Sequence, residues 1–293
     1  MRKFLWVAVA VFLSQCLLAQ DTELNSRFER LLKNPTSTPY GQNKSAGKFY
    51  NIRGFKMYAE TYGKGEPLLI IHGNGGSISD FVHQIPYFSQ RYRVIVADSR
   101  AQGNSVDRSD SLSYEMMADD YAALLDEMKI DSANVIGWSD GGINALLLAI
   151  RHPGKVKKLA VTGANLSPDT TAVFADVIQT VEPRYRELNQ KVNKNEQEKN
   201  AWKLVRLLID EPHITLDELH KIAAPALVIG GDHDVIKPAH TLLISENIPK
   251  SYLWIIPETG HSTPLVHRDE FNKTIDEFFK KPYRRIAGQW RFL

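Results

Sequence analysis

The sequence predicts an α/β fold, with a mostly parallel central sheet covered on both faces by helices. Short apolar runs of strand length alternate with longer helical patterns along most of the chain. Several of those runs, Leu68-Leu69-Ile70-Ile71 among them, are apolar without alternation, as strands buried on both faces are. Between Gly163 and about Ala223 the alternation stops and only amphipathic helical stretches remain, which predicts an all-helical insertion.

In chain order, residues 20–46 are polar and broken by Asn34-Pro35-Thr36-Ser37-Thr38-Pro39, a leader with a short helix around Arg27 to Lys33. Phe49 to Ile52 and Phe55 to Tyr62 read as two strands joined by a turn at Arg53-Gly54. The Leu68 to Ile71 strand ends at His72-Gly73, and a helix is expected over Asp80 to Gln90. Arg93 to Ala97 is the next strand, Tyr114 to Met128 a helix, Asn134 to Gly137 a strand and Ile143 to Ile150 a nearly all-apolar helix. Strands follow at Lys158 to Thr162, Ala226 to Gly230 and Tyr252 to Ile256, and a helix from about Arg268 to Lys280 closes the pattern. In the insertion, Thr171 to Val181 and Gln197 to Ile209 are the helical stretches. The organisation expected is a core over 47–163 and 224–281, a helical lid over 164–223 and a C-terminal tail over 282–293.

A chain of 293 residues builds one such domain with an insertion and buries enough core to fold without disulfides or metals. Its formal charge of +2 carries no electrostatic footprint for nucleic acid. Residues 1–19 read as a secretory signal peptide: Arg2 and Lys3 open it, Phe4 to Leu13 is unbroken apolar sequence, and cleavage is expected after Ala19. The segment is too short for a comfortable membrane span, so no transmembrane segment is expected in the mature chain. Loss of Arg2 and Lys3 leaves 34 basic against 34 acidic residues, and export to the periplasm or medium is the expectation. Leu13-Ser14-Gln15-Cys16 is a competing lipoprotein reading, weakened by Gln15 where a small residue is wanted. Cys16 is the only cysteine, so the mature chain has neither a disulfide framework nor a thiol nucleophile.

The chemistry concentrates in three places. Gly137-Trp138-Ser139-Asp140-Gly141 is a G-x-S-x-G pattern between a predicted buried strand and a predicted helix, the setting in which a serine is lifted clear of a sheet on a sharp turn. Ser139 is therefore the expected nucleophile, and it needs a base that is itself oriented by an acid. His261, in Pro257-Glu258-Thr259-Gly260-His261 after the last predicted strand, is placed as that base, whereas His233, His240 and His267 are not. Gly230-Gly231-Asp232-His233-Asp234 offers two candidate acids, of which Asp234 stands further clear of its strand than Asp232. The order serine, acid, histidine is the one this architecture uses.

Two backbone N–H groups must face the developing oxyanion. One is expected from Asp140, the other from Asn74 or Gly75 in the loop His72-Gly73-Asn74-Gly75-Gly76. His72 reads as a structural hydrogen-bonder. Asp140 and Trp138, flanking the nucleophile, are the candidate substrate contacts. A carboxylate at Asp140 opposes a forming oxyanion and calls for compensation, by a cationic substrate group or by a nearby arginine such as Arg100.

Together these residues resemble the α/β-hydrolase family over roughly 49–279, with Asp98-Ser99-Arg100-Ala101-Gln102-Gly103-Asn104-Ser105 a further match to its habits. Gly137 to Gly142, with Asp140 after the serine, is similar to the valacyclovir-hydrolase (biphenyl-hydrolase-like) branch, as are Gly163-Ala164-Asn165, Pro257-Glu258 and Asp269-Glu270-Phe271-Asn272. Ala101, where glycine is common, and the His72-Gly73-Asn74 loop depart from that branch, as does the signal peptide. The resemblance implies hydrolysis of a small ester, activated amide or lactone through an acyl-enzyme, and on that branch an α-ammonium facing Asp140. It also leaves open carbon–carbon bond hydrolysis on the same triad, or a weakly catalytic ligand-binding homologue. An aspartate nucleophile of the epoxide-hydrolase kind is excluded by Ser139, and without H-E-x-x-H, P-loop or Rossmann patterns no metal or cofactor is expected.

Overall fold

A computed structural model describes residues 22–292; the signal-peptide reading and Cys16 lie outside the described residues. Helix α1 (Thr22–Leu31) opens the described chain, earlier than the expected Arg27 to Lys33, and stops ahead of Pro35. The segment after it is docked onto the core. Glu60, fully buried, accepts hydrogen bonds from the N–H groups of Gly41 and Asn43 and from the hydroxyls of Tyr58 and Tyr62 at 2.7–2.9 Å. A buried carboxylate survives only with such partners, and here they bind residues 41–43 to the sheet.

Strands β1 (Gly47–Ile52) and β2 (Phe55–Tyr62) form an antiparallel hairpin, followed by β3 (Glu66–Ile71). The helix expected over Asp80 to Gln90 is two pieces instead: a 3₁₀ turn (Ile78–Phe81) and the short α2 (Gln84–Phe88). Pro86, lacking an N–H, is tolerated in the first turn of α2 but not deeper in one continuous helix. Then come β4 (Tyr92–Ala97), α3 (Tyr114–Glu127), β5 (Ala133–Trp138), α4 (Asp140–Arg151) and β6 (Val156–Thr162). Ser113 caps α3 by accepting from the Met116 N–H.

The insertion carries α5 (Ala175–Gln190), α6 (Glu196–Asp210) and the single turn α7 (Leu216–Leu219). Helix α5 begins four residues later than the expected Thr171, because Asp169 holds that stretch as a turn by accepting from the Thr171 N–H at 2.8 Å. The chain re-enters the sheet with β7 (Ala226–Gly231), α8 (Pro238–Asn247) and β8 (Ser251–Ile256), and ends with α9 (Thr263–Val266) and α10 (Arg268–Lys280). The sequence pattern did not suggest α8. It buries His240, Thr241 and Ile244 but exposes Leu242, so its apolar residues form no stripe.

The sheet order is β1-β2-β4-β3-β5-β6-β7-β8, with β3 to β8 parallel and β1 and β2 antiparallel. Each inner strand divides its residues between two cores. Leu69, Ile71, Val135, Leu159 and Val161 pack on one face under α3 and α4, while Leu68, Ile70, Ile136 and Ala160 pack on the other under α2 and α10. That two-residue period on both faces is why the runs carry no polar alternation.

Helix α5 packs mainly on α6, through a small separate cluster of Val181, Leu188 and Val205. Helix α6 is fastened to the body at every third residue. Asn200 donates to the Ala101 carbonyl (2.7 Å), Lys203 to those of Asp107 and Ser109 (3.1 and 2.9 Å), and Arg206 to that of Leu112 (2.9 Å). Spacing of three keeps these side chains on one face of the helix.

Candidate active site

The strand-to-helix turn after β5 places Ser139 at φ 58°, ψ −123°, a conformation that costs a side-chain-bearing residue about 1–3 kcal/mol. Its surroundings impose it. The Ser139 N–H donates to the Thr162 carbonyl at 2.9 Å, and the Ser139 carbonyl accepts from Gly142 and Ile143. A Cβ on Gly141 would stand 2.1 Å from the Ile71 carbonyl oxygen, and one on Gly137 would stand 2.2 Å from that of Gly141. The two glycines of the motif are thus the only residues that let α4 start this close to the strand ends.

Three predicted residues from three strand ends meet here. His261 Nε2 lies 2.9 Å from Ser139 Oγ, and its Nδ1 lies 2.6 Å from Asp234 Oδ1. Facing a carboxylate, Nδ1 carries the proton, which leaves Nε2 free to accept from the serine hydroxyl. Asp234 is buried and also accepts from the Ile236 N–H at 3.1 Å. Burial works against a charged His261, but the charge and hydrogen bond of Asp234, with the charge of Asp140, outweigh it and raise the imidazole above its ordinary 6.5.

Asp232, the alternative acid, points elsewhere. Its Oδ1 accepts from the Thr259 N–H at 3.0 Å and pairs with His233 at 2.8 Å, so it braces the loop that carries His261. Trp138, a candidate substrate contact, is buried, and its indole N–H donates to the His261 carbonyl at 2.8 Å. Its polar handle is spent on that same loop rather than turned to a ligand. Of the other histidines, His240 accepts from the Leu166 N–H at 3.0 Å, His267 stands at the start of α10, and His233 is exposed.

The loop after β3 closes directly on Ser139: a Cβ on Gly73 would be 3.1 Å from Ser139 Cβ. His72 holds it from behind. Its Nδ1 donates to the Gly73 carbonyl at 2.7 Å and its Nε2 accepts from the Ser99 N–H at 2.9 Å, which requires the neutral ring. Burial pushes His72 down to about 4, in keeping with that form. The Gly76 N–H donates to the Gly73 carbonyl at 3.1 Å, closing a turn whose central residues are Asn74 and Gly75. The N–H groups of those two do not take part in the closing bond. Asp140 opens α4, and its N–H has no acceptor within the helix.

The Asp140 side chain is 3% exposed and has its own neighbours. Arg100, weighed as its partner, is instead bound to Asp120 at 2.7 and 2.8 Å, pairs with Asp107 at 3.3 Å, and stacks on Phe55. Asp140 faces Tyr114, Asn74 and His261; burial outweighs all three and pushes it up to about 6. Its Oδ2 has no hydrogen-bond partner among the described residues, and neither has Asn74 Oδ1. Asn144, one turn along α4 on the same face, is buried with both amide atoms likewise unpartnered. Asn74 Nδ2 donates to the Leu204 carbonyl of α6 at 2.9 Å, tying the loop to the insertion. Tyr114, Asn144 and Gly163 were not singled out for the site. A Cβ on Gly163 would be 2.7 Å from His261 Cε1, and glycine after the strand was the one visible signal. No group of three His, Cys, Asp or Glu side chains fit to hold a metal occurs among the described residues, and no helix there is long and apolar enough to cross a membrane.

A parallel sheet with a strained serine between β5 and α4, and a histidine and aspartate after β8 and β7, defines the class: hydrolases built on a nucleophile elbow. The α/β hydrolase fold model matches residues 66–201, and the chain is a hydrolase with the α/β-hydrolase fold. It is 27% identical over 246 residues to the serine hydrolase BPHL of Homo sapiens, covering 78% of this chain and 84% of that one. It is also 27% identical to the 2-hydroxymuconate semialdehyde hydrolase of a Pseudomonas species, covering 77% and 90%. Among solved structures, an N-acyl homoserine lactone degrading enzyme superposes with TM-score 0.66 at 27% identity, covering 79% of this chain and all of the other.

Proposed function

We propose that this protein is an exported serine esterase that works through an acyl-enzyme. The observation that carries the reading is the unbroken chain Ser139 Oγ to His261 Nε2 (2.9 Å), His261 Nδ1 to Asp234 Oδ1 (2.6 Å). His261 takes the hydroxyl proton as Ser139 Oγ attacks the ester carbonyl, and Asp234 steadies the imidazolium that results. The carbonyl electron pair moves onto oxygen, facing the N–H of Asp140 and that of Asn74 or Gly75. Collapse of this intermediate breaks the bond to the alcohol, which leaves with the proton from His261. Water, giving its proton to His261, then attacks the acyl-enzyme, and the acid departs as the proton returns to Ser139. The insertion over 164–223 acts as the lid, with Asn74 joining it to the oxyanion loop.

Purified protein lacking residues 1–19 should hydrolyse p-nitrophenyl acetate and butyrate and should lose that activity on labelling with a fluorophosphonate. Absence of both turnover and labelling would leave a ligand-binding homologue. Carbon–carbon bond hydrolysis is supported by the likeness to a semialdehyde hydrolase, and a vinylogous diketone in the same assay panel tests it.

Asp140 favours a substrate bearing an α-ammonium: its Oδ2 is buried and unpartnered, and an ammonium brings donors and a compensating charge. A charge-assisted hydrogen bond is worth about 1.5–3 kcal/mol, or roughly ten- to a hundredfold in kcat/KM. The preference for an α-amino ester over its des-amino analogue should fall by that factor in Asp140→Asn. Equal losses on both esters would make the carboxyl structural. Intact-mass measurement on protein secreted from its host tests export, which predicts a chain beginning at or near Gln20, whereas a lipid on Cys16 would mean anchoring instead.

A further inference from the structure

The chain past α10 carries a charge pattern that catalysis leaves unused. Lys280, Lys281, Arg284, Arg285 and Arg291 lie within twelve residues that hold no acidic side chain. With residues 1–19 removed, basic and acidic residues balance at 34 each, so this run is a local excess. Asp276 and Glu277, the nearest acids in the chain, already hold Lys280 and Lys281 at 2.6 and 2.8 Å. Arg285 and Arg291 are exposed and have no ion pair among the described residues. Ile286 follows the first of these arginines and Phe292 the second, and both stand in solvent, 51% and 89% exposed.

The segment is pinned where it begins. Tyr252 of β8 donates its hydroxyl to the Arg284 carbonyl at 2.9 Å and accepts from the Arg284 N–H at 2.8 Å. Its ring lies 5.1 Å from that of Tyr283. Lys158 of β6 donates to the carbonyls of Phe278 and Phe279 at 2.9 and 2.8 Å, and to that of Lys281. Lys158 and Tyr252 stand near the starts of their strands, whereas Ser139, Asp234 and His261 all follow strand ends. Strands β5 to β8 run parallel, so the segment leaves the sheet at the end opposite Ser139. Lys250, exposed and without an ion pair among the described residues, precedes β8 at that same end.

We propose that residues 282–292 form a contact with the surface of an anionic phospholipid bilayer. Arg284, Arg285 and Arg291 meet the headgroup phosphates, with Lys250 beside them, and Ile286 and Phe292 enter the boundary between headgroups and acyl chains. Charge complementarity selects an anionic partner, and the apolar neighbour of each exposed arginine selects lipid. A bilayer sets an apolar layer directly behind a layer of anions, which a nucleic acid or an acidic protein chain does not. Such a surface also asks for no fixed geometry, which suits a segment whose regular structure is a single 3₁₀ turn (Gly288–Phe292). Two exposed apolar side chains and a few cations give weak, reversible attachment, and it leaves the Ser139 end of the sheet facing away from the bilayer.

Co-sedimentation with vesicles tests this, on protein beginning at Gln20, which keeps every described residue. Vesicles of phosphatidylcholine with about one-third phosphatidylglycerol should bind the protein at low salt, and vesicles of phosphatidylcholine alone should not. Raising the salt to about 0.5 M should release most of it. A cation near an anionic bilayer contributes roughly fivefold to binding, so Arg285→Gln with Arg291→Gln should lower the partition coefficient about ten- to thirtyfold. Ile286→Ser with Phe292→Ser should lower it about fivefold or more. All four side chains are exposed, so melting temperatures should stay at the wild-type value. No binding to the anionic vesicles, equal binding to both lipids, or binding that survives the arginine substitutions would overturn the proposal. Loss on the arginine substitutions alone, with the Ile286 and Phe292 variant binding as tightly as wild type, would point to a soluble polyanion and overturn it too.

Discussion

At the nucleophile elbow the chain is held by its own backbone; in the helical insertion it is held by side chains reaching across to carbonyls. Ser139 is fixed by three main-chain hydrogen bonds and by glycines at 137 and 141 that admit no Cβ. Helix α6 is fixed by Asn200, Lys203 and Arg206, and by Asn74 reaching up from the turn after β3. The first arrangement stores strain that only a tightly packed sheet can hold. The second can be altered one side chain at a time without touching the sheet. The proposed chemistry and the proposed lid thus sit on supports of different kinds, and substitutions on the two sides should be separable.

The sharpest separation is expected at Ser139. Ser139→Ala should lower kcat by about 10⁴–10⁶, with a melting temperature close to wild type, because the backbone bonds that define the elbow remain. A fall in melting temperature of the size seen for core truncations would show that the hydroxyl supports the fold.

Next in size is the contrast between the two aspartates. Asp234→Asn should cost about 10⁴ in kcat by losing the His261 tautomer. Asp232→Asn weakens the bond to Thr259 and the pairing with His233, both outside the catalytic contacts, and should cost about tenfold or less, as loop hydrogen bonds would. Steady-state rates on one ester decide the order, and a reversal would transfer the acid to Asp232.

On the insertion side, Lys203→Met removes a buried ammonium that donates to two carbonyls and leaves both without it. Urea unfolding should show a loss of about 1–3 kcal/mol, and KM should rise more than kcat falls. An unchanged KM would mean that α6 has no part in binding.

The smallest effect links the two regions through Asp140. Its negative charge helps raise His261, and only neutral His261 can accept the serine proton, so activity should rise with pH through a value above 6.5. Asp140→Asn removes that charge and should shift the acid limb of kcat/KM to lower pH. The same variant has a stability signature. Burial raises the folded Asp140 to about 6 from an ordinary 3.8, so the charged form is penalised in the folded state above that range. At pH 8, Asp140→Asn should be the more stable protein by up to about 2–3 kcal/mol, and the difference should vanish below pH 3.8. Denaturation at pH 8 and pH 3.5 measures it.

Sequence patterns determined the layered α/β architecture, because a strand buried on both faces must be apolar at consecutive positions. They also determined the elbow serine and the loops bearing His261 and Asp234, because a glycine-flanked serine between strand and helix, and polar loops after later strands, are local in the chain. They did not reach contacts made across it. That Trp138 grips the His261 loop, that Arg100 serves Asp107 and Asp120 rather than Asp140, and that Asn74 fastens to Leu204 each depend on tertiary neighbours, most of them far apart in the chain. Nor did they reveal that the helix over 80–90 is interrupted, or that α8 lies between β7 and β8, since one Pro and one unstriped helix leave little periodic signal. A side chain's type limits which bonds it can make. Which of them it makes is set by the neighbours that folding brings to it, and for Asp140 that choice left a buried carboxyl oxygen without a partner beside the proposed nucleophile.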